Sequence, residues 1–519
     1  MSSGASRSLN RNSTLLAIFI AFGSGFLFGY DIGVISGCLV MEDFKRRFGE
    51  QGSDGVYFLS SERSSIITSL LSVGTFLGAL GQAFTSDSWG RRGSLLIWSA
   101  IFTVGVAIQT ATQTSVAQLS IGRAIAGLGV GAMSAIVPLY TGETAPKSLR
   151  GTLLVVYQLE IIVGLFLSYI LDLATHKIPN SASWRVPVGL QMLWGLILLS
   201  GIFFLPESPR HLLGRGRRDE AIAVIAKMNS VSPDAPVVIE TIEELEFGIK
   251  AENEGGKATW AECFSKRNFL YKRTINGMML QFLQQLNGQN FYYYYGSIFF
   301  ESAGSLLDPL VIQTILGAVS VVGTVPALYL IESWGRRRLL LTGAVWQGIC
   351  ALIAGLVGHF TLADDGVPAD QLTMGNKQGG NTLIAFAVLH VFGFSMFWGP
   401  TPWVYLGESF PLRVRPKCIA LGSASNWIWN FLLGFFAPRI AEDIGPLILL
   451  IFFGMLVVAF FYVFFFIPET RGLALEEVDE MYRAKIQPWK SASWKPHLFE
   501  NVPHGHAAEV PEKGEVPRS

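Results

Sequence analysis

Long apolar runs are the feature that most constrains how this chain can fold. A bilayer core about 30 Å thick needs roughly 20 mostly apolar residues per helix. Only 15% of the residues are charged, against about a quarter in a typical soluble domain, and the mean hydropathy is +0.41. We therefore predict an all-α integral membrane protein with twelve transmembrane helices. The predicted spans are 14–38, 62–84, 94–113, 117–139, 151–173, 185–205, 274–297, 309–331, 339–358, 382–405, 418–438 and 445–467.

A charged central stretch divides these spans into two sets of six. The lysines and arginines of the short loops collect on one side of the membrane, which the positive-inside rule places in the cytosol together with both termini. The central stretch carries apolar residues at helical spacing, which indicates short amphipathic helices. The predicted domains are a cytosolic N-terminus (1–13), a first six-helix bundle (14–205), a cytosolic helical linker (206–273), a second six-helix bundle (274–467) and a largely disordered cytosolic tail (468–519).

Composition and motifs argue against several function classes. The formal net charge is zero, so nothing points to a nucleic-acid partner. The sequence has no glycine-rich phosphate loop and no metal-ligand cluster, and its four cysteines show no Cys-x-x-Cys spacing. We expect no enzyme activity, no cofactor and no metal site.

Three short motifs occur twice, in the same order. "DSWGRRG" at 87–93 resembles "ESWGRRR" at 332–338, "YTGETAP" at 140–146 resembles "YLGESFP" at 405–411, and "PES" at 206–208 resembles "PET" at 468–470. The offsets of 245, 265 and 262 positions are similar, which indicates a duplicated six-helix unit. Two pseudo-symmetric bundles related by an axis along the membrane normal are typical of major facilitator carriers, which bind substrate between the halves.

The repeated motifs place arginines and glutamates at the same ends of corresponding helices. Charge-assisted hydrogen bonds between them are expected to hold neighbouring helices together at the cytosolic side and to break when the cavity opens inward. The alternative is that the arginines only set topology, which requires positive charge but no paired acids. The residues of this predicted cytosolic gate are Arg91, Arg92, Glu143, Arg150, Glu207, Arg336, Arg337, Glu408, Arg415 and Glu469.

The motifs also resemble the sugar porter family of the major facilitator superfamily over about 14–475. The matching pieces are "GYDIGVISG", "DSWGRR", "RAIAGLGVG", "PLYTGETAPKSLRG", "PESPR", "QQLNGQN", "ESWGRRR", "WGPTPWVYLGESFP", "NWIWNF" and "PETRG". The tyrosine-rich segment after "QQLNGQN" is most similar to fungal hexose transporters. The resemblance implies a monomeric plasma-membrane carrier that moves monosaccharides by alternating access, with glucose as the default substrate.

Uncharged amides inside an apolar span suit a sugar, because each can both donate to and accept from hydroxyl groups. The stretch "QFLQQLNGQNFYYYY" concentrates such amides, which are costly in hydrocarbon unless they face a polar cavity or each other. The alternative role is to join helices by hydrogen bonds. The resemblance implies that the sugar contacts Gln158, Gln284, Gln285, Asn290, Trp398 and Asn426.

An acid lies midway along the first span. Asp31 has its expected partner in Arg123 of the fourth span, and an intramembrane carboxylate is a functional hypothesis by default. The resemblance favours a sugar–proton symporter in which protonation of Asp31 releases Arg123. A buried ion pair in a facilitative hexose carrier is the alternative. A non-transporting glucose sensor, and a carrier of pentoses, disaccharides or polyols, also remain open.

Overall fold

The computed structural model describes residues 11–52, 55–144, 150–229, 231–254, 259–302, 308–362, 373–411, 414–473 and 475–494. Among them, nine segments are long and apolar enough to cross a membrane, and the last, Lys417–Phe466, contains two helices. The first helix and a broken pair that opens the second half complete the twelve predicted spans. The architecture is the twelve-helix major facilitator fold.

The first half contains six spans and a small cap. Its third helix runs through two predicted spans and bends at Gly90, where φ is 80° and ψ is 174°. The cap is a short helix with a two-stranded antiparallel hairpin after the first span. The elements are α1 (Arg11–Cys38), α2 (Glu42–Phe48), β1 (Glu50–Gln51), β2 (Tyr57–Phe58), α3 (Ser61–Ala111), α4 (Val116–Thr144), α5 (Arg150–Thr175) and α6 (Ala182–Ile202).

Glycines bring the helices of the first half into backbone contact. A Cβ atom at Gly74 of α3 would collide with the carbonyl oxygen of Ala124 in α4, and one at Gly127 would collide with the carbonyl of Leu71. In a membrane, where apolar side chains gain little from leaving lipid, such close approach is a main source of helix association.

The linker folds into three short helices: α7 (Pro209–Gly214), α8 (Arg218–Asn229) and α9 (Pro236–Glu254). They share a small apolar core that includes Leu212, Ile225 and Ile242. Two 3-10 turns, Ala261–Phe264 and Arg267–Phe269, lead into the second half. That half begins at Leu270, four residues before the predicted boundary.

The second half repeats the six-span arrangement with two breaks. Its first span is interrupted at Gly288, where φ is 95°, and its fifth is interrupted by a π-helical turn at Phe394–Trp398. The helices are α10 (Leu270–Gln285), α11 (Gln289–Ser302), α12 (Pro309–Ser333), α13 (Arg336–Thr361), α14 (Met374–Gly393), α15 (Thr401–Glu408), α16 (Arg415–Ile444) and α17 (Ile448–Phe466), with a 3-10 turn at Gly445–Leu447.

Part of the segment after α17, which the sequence placed in a largely disordered tail, is helical in the structure. Helix α18 (Leu475–Arg483) packs against the start of α10, where buried Arg273 forms an ion pair with Asp479. The hydroxyl groups of Tyr482 and Tyr405 lie 3.0 Å apart, and a 3-10 turn follows at Pro488–Ser493. Helix α18 is amphipathic and gains its stability from the surface of the second half on which it packs. Residues 495–519 lie outside the described part of the chain.

Candidate sugar cavity and flanking ion pairs

The break between α10 and α11 gathers the amides of the glutamine-rich stretch. Gly288 adopts a left-handed conformation that a residue with a side chain rarely adopts, so Gln285 and Asn290 come together from two helix ends. The Oε1 atom of Gln285 accepts hydrogen bonds from the Nδ2 atoms of Asn290 and, at 3.0 Å, Asn430. An unbroken helix would have placed Gln284 and Asn290 on different faces.

Helix α16 supplies the matching side. The Nδ2 atom of Asn426 donates to the Oε1 atoms of Gln281 at 2.7 Å and Gln284 at 2.9 Å. Asn430, one turn further, accepts a 2.6 Å hydrogen bond from Ser72 of α3. The sequence could have revealed Asn430, because residues four apart share a helix face.

A cavity of about 730 Å³, part of it continuous with solvent, lies between the two halves. Both amides and aromatic rings line it, so its wall offers both hydrogen bonds and apolar faces. Five of the six predicted sugar contacts line it: Gln158, Gln284, Gln285, Asn290 and Asn426. The other polar and aromatic lining residues are Phe28, Ser134, Tyr157, Tyr293, Phe394, Trp403, Trp427 and Asn430.

Trp398 is the predicted contact that the structure does not bring to the cavity. Its side chain is fully buried, and its Nε1 atom donates to the Leu340 carbonyl of α13 at 3.0 Å. Trp403, five residues later, lines the cavity instead. The π-helical turn and the prolines of "WGPTPW" shift the helix face between these two tryptophans, and sequence spacing alone does not show that shift.

Hydrogen bonds join the halves on one side of this cavity. Tyr169 donates to the backbone carbonyl of Tyr293 at 3.0 Å, and Gln313 donates to the hydroxyl of Ser36 at 3.2 Å. Both contacts lie toward the end that carries α2 and the hairpin, which we call the opposite end. The end that carries Arg91 and Arg336 is called the arginine end. The structure therefore holds the halves together at the opposite end.

Asp31 and Arg123 are both buried, and the shortest distance between their charged atoms is 3.7 Å. Both carboxylate oxygens of Asp31 are enclosed, and the Gln191 side chain is another polar neighbour of Asp31. The predicted partners therefore form a buried ion pair whose shortest contact is too long for a hydrogen bond.

The arginine end of the first half contains the predicted ion pairs in a specific arrangement. Arg91 donates to Glu143 at 2.8 Å, and the Glu207 carboxylate accepts the backbone N–H groups of Arg91 at 2.9 Å and Arg92 at 3.2 Å. The guanidinium of Arg92 donates to the Phe203 carbonyl at the end of α6. Glu207 therefore caps the helical segment that follows the bend.

The second half repeats this arrangement almost atom for atom. Arg336 makes two hydrogen bonds to Glu408, at 2.7 and 3.0 Å. Glu469 accepts the backbone N–H groups of Arg336 at 2.9 Å and Arg337 at 3.0 Å. The Arg337 guanidinium donates to the Phe464 carbonyl at the end of α17.

The third position of the "PES" and "PET" motifs has a matching role. Ser208 donates to Glu143, and Thr470 donates to Glu408 at 3.0 Å. Of the remaining predicted gate residues, Arg415 begins α16, and the side chain of Arg150 lies outside the described residues. In the described part of the chain, every ion pair of these two clusters joins helices within one half.

His211 of α7 was not singled out from the sequence. Its Nδ1 atom lies 3.2 Å from the Arg91 guanidinium. Burial, with a smaller contribution from Arg91, lowers the pKa of His211 below its ordinary value. The linker therefore contacts the first arginine cluster through the His211 imidazole, whose neutral form is favoured.

Comparison with known proteins agrees with this geometry. The family model described as "Sugar (and other) transporter" matches residues 16–482. This chain belongs to the sugar transporter family. It is therefore a multi-pass membrane carrier with a small-molecule sugar as substrate, and its relatives are transporters rather than enzymes.

Members of the sugar transporter family from yeasts are among the similar proteins. The low-affinity glucose transporter HXT1 of Saccharomyces cerevisiae is 42% identical, over 93% of this chain and 84% of the relative. Hexose transporter 2 of Kluyveromyces lactis is 42% identical over 94% and 86%. The solved structure of the proton:xylose symporter XylE bound to 6-bromo-6-deoxy-D-glucose has a TM-score of 0.75 at 25% identity, covering 91% of this chain and all of that one.

Proposed function

We propose that this protein carries glucose-like hexoses across the plasma membrane by alternating access, as a sugar–proton symporter. The cavity between the halves is the observation that carries the sugar part, because its amides and aromatic rings match a polyhydroxylated ring with apolar faces. Yeast relatives named as glucose and hexose transporters support the hexose assignment.

Within this proposal, the sugar hydroxyl groups are bound by Gln158, Gln284, Gln285, Asn290 and Asn426. Trp403 and Trp427 take the place in the cavity that the sequence prediction gave to Trp398. Cells that lack hexose carriers and express this chain should take up labelled glucose. Competition by galactose, xylose, a disaccharide and a polyol then ranks the substrate classes.

A matched pair of variants tests the cavity. Gln285→Leu should reduce uptake at low glucose concentration by about tenfold or more, because a site built to bond a hydroxyl penalises an unpaired one. Gln289→Leu is the control, because Gln289 is equally buried but does not line the cavity. Equal effects of the two substitutions would contradict the cavity assignment.

Proton coupling rests on Asp31 and Arg123. Protonation of Asp31 neutralises one member of this buried ion pair, and the two charge states then favour different helix arrangements. Glucose accumulation against a gradient should collapse with a protonophore, and Asp31→Asn should abolish accumulation while leaving counterflow exchange. Uptake that stops at equal glucose concentrations and is unchanged by the protonophore would identify a facilitative carrier. Sugar binding without uptake would identify a sensor.

The two arginine clusters form the cytosolic gate in this proposal, with both termini in the cytosol and the chain acting as a monomer. In the structure the halves are hydrogen-bonded at the opposite end and both clusters are intact; breaking of the clusters is the step that this proposal assigns to inward opening. A tag at the C-terminus should resist external protease in intact cells and be cleaved after permeabilisation, whereas cleavage in intact cells would reverse the orientation.

A further inference from the structure

The break between α14 and α15 leaves a carbonyl that the helix itself cannot satisfy. In a continuous helix the carbonyl of Trp398 would accept from the N–H group of residue 402. Residue 402 is a proline, which has no N–H group. A buried carbonyl without a donor is costly, so another group must supply one.

Gln284 of α10 supplies it. Its Nε2 atom donates to the carbonyl oxygens of Trp398 and Gly399, both at 2.9 Å. Because both partners are carbonyl oxygens, only the NH₂ group can face them. The Oε1 atom of Gln284 accepts from Asn426 at 2.9 Å. Although Gln284 lines the cavity, both of its N–H bonds are therefore already used.

The residues on the two sides of this break belong to different parts of the molecule. Before the break, the Trp398 indole is fixed to the Leu340 carbonyl of α13. Beyond it, the eight-residue helix α15 carries Trp403 in the cavity and Glu408, which pairs with Arg336 at 2.7 Å. Any change at the break thus reaches both the cavity and the arginine end.

We propose that Gln284 is a positioning residue that ties the break between α14 and α15 in place. In the empty carrier its hydrogen bonds to the Trp398 and Gly399 carbonyls hold the break, and they are released when sugar binds. Sugar hydroxyl oxygens take over both N–H bonds of Gln284, so the carbonyls of Trp398 and Gly399 lose that donor and α15 becomes free to move relative to α14. This inference rests on the proposed function and adds how cavity occupancy reaches the Arg336–Glu408 pair.

The tie is tested by thermal unfolding of the purified full-length chain without sugar. Gln284→Met should lower the thermal midpoint by about 2 °C, the order of its two lost N–H bonds in a chain of this size. Pro402→Ala restores an N–H group for the Trp398 carbonyl but not for the Gly399 carbonyl, so it should cancel about half of that loss. Gln285→Met is the matched control and should gain nothing from Pro402→Ala. Equal behaviour of the two glutamine variants overturns the proposal.

The release step is tested in proteoliposomes, without Pro402→Ala. Glucose on both sides should speed wild-type exchange about fivefold over net uptake into empty vesicles, because sugar loosens a break otherwise held by about one net hydrogen bond. In Gln284→Met the ratio should approach one, whereas Gln289→Met should keep it, because Gln289 is buried but does not line the cavity. A wild-type ratio of one, or an unchanged ratio in Gln284→Met, overturns the release step.

These outcomes separate the inference from the proposed function. If the wild-type protein moves no glucose, the hexose proposal fails. The thermal midpoints of the single and double variants still report whether Gln284 holds the break. If glucose is moved but Pro402→Ala does not selectively raise the thermal midpoint of Gln284→Met, hexose transport stands and the role of Gln284 is wrong.

Discussion

Replacing Gly335 by alanine should damage the arginine end of the second half more than any ordinary surface substitution. Gly335 has φ 89° and ψ 162°, a region that is essentially restricted to glycine and costs other residues about 1–3 kcal/mol. A Cβ atom there would also overlap the carboxylate of Glu469. That carboxylate accepts two backbone N–H groups, from Arg336 and Arg337.

The expected loss is the sum of these two effects. A hydrogen bond to a charged group contributes about 1.5–3 kcal/mol, so displacing Glu469 from both amides and straining the backbone should cost at least about 4 kcal/mol. The assay is unfolding in mixed micelles titrated with a denaturing detergent. Gly90→Ala should give a similar loss, because Gly90 faces Glu207 in the same way.

Gly472→Ala is the control that separates strain from displacement. Gly472 also has a positive φ, 72°, but an added Cβ atom would meet no atom within 4 Å. It should therefore lose only the strain energy, about 1–3 kcal/mol. If Gly335→Ala and Gly472→Ala lose the same stability, the capping role of Glu469 is wrong.

Three further predictions concern single side chains. Trp403→Ala should raise the KM for glucose about tenfold through the lost aromatic contact, whereas Trp398→Phe should lower the thermal midpoint and leave the KM unchanged; the reverse pattern would restore Trp398 as the contact. Arg336→Lys keeps the charge but loses the two-point contact to Glu408, so it should cost about 2 kcal/mol, and an unaffected variant would favour a purely topological role. The pKa of folded His211 lies below its ordinary value, so its contribution to stability is full above that ordinary value and is lost as the pH falls toward the folded pKa. The thermal midpoint of the wild-type protein should therefore fall between pH 7 and pH 5, and His211→Gln should reduce that fall. An equal fall in the variant would show that His211 does not cause it.

The spans and the duplication were predictable because they depend on local composition. Twenty apolar residues in a row have few alternatives to a membrane helix, and each of the twelve predicted spans overlaps helical structure. The repeated motifs predicted which arginines and glutamates share one end of the molecule, and the structure shows the pairs to be Arg91 with Glu143 and Arg336 with Glu408. Partly buried arginines and glutamates at corresponding helix ends have few other charged groups to pair with.

Other features escaped sequence reasoning because they depend on interruptions of regular helix. Trp398 and Trp403 differ only in where they fall around a π-helical turn, and helical periodicity assumes that no such turn exists. The tail helix α18 was missed because its stability comes from buried Arg273 and from Tyr405, which lie 206 and 77 positions away from their partners. Composition describes a segment alone and not the surface that it packs on.

By itself, the sequence determined that this protein is a duplicated, twelve-span sugar carrier with amides concentrated at one break and arginines at one end. Only the tertiary structure decided that Gln284 spends its N–H bonds on a neighbouring helix, that Glu207 and Glu469 cap backbone amides, and that Trp403 rather than Trp398 faces the cavity. The physical reason is that hydrogen-bond donors and acceptors are fixed by residue type, whereas their partners are fixed by how broken helices meet in space.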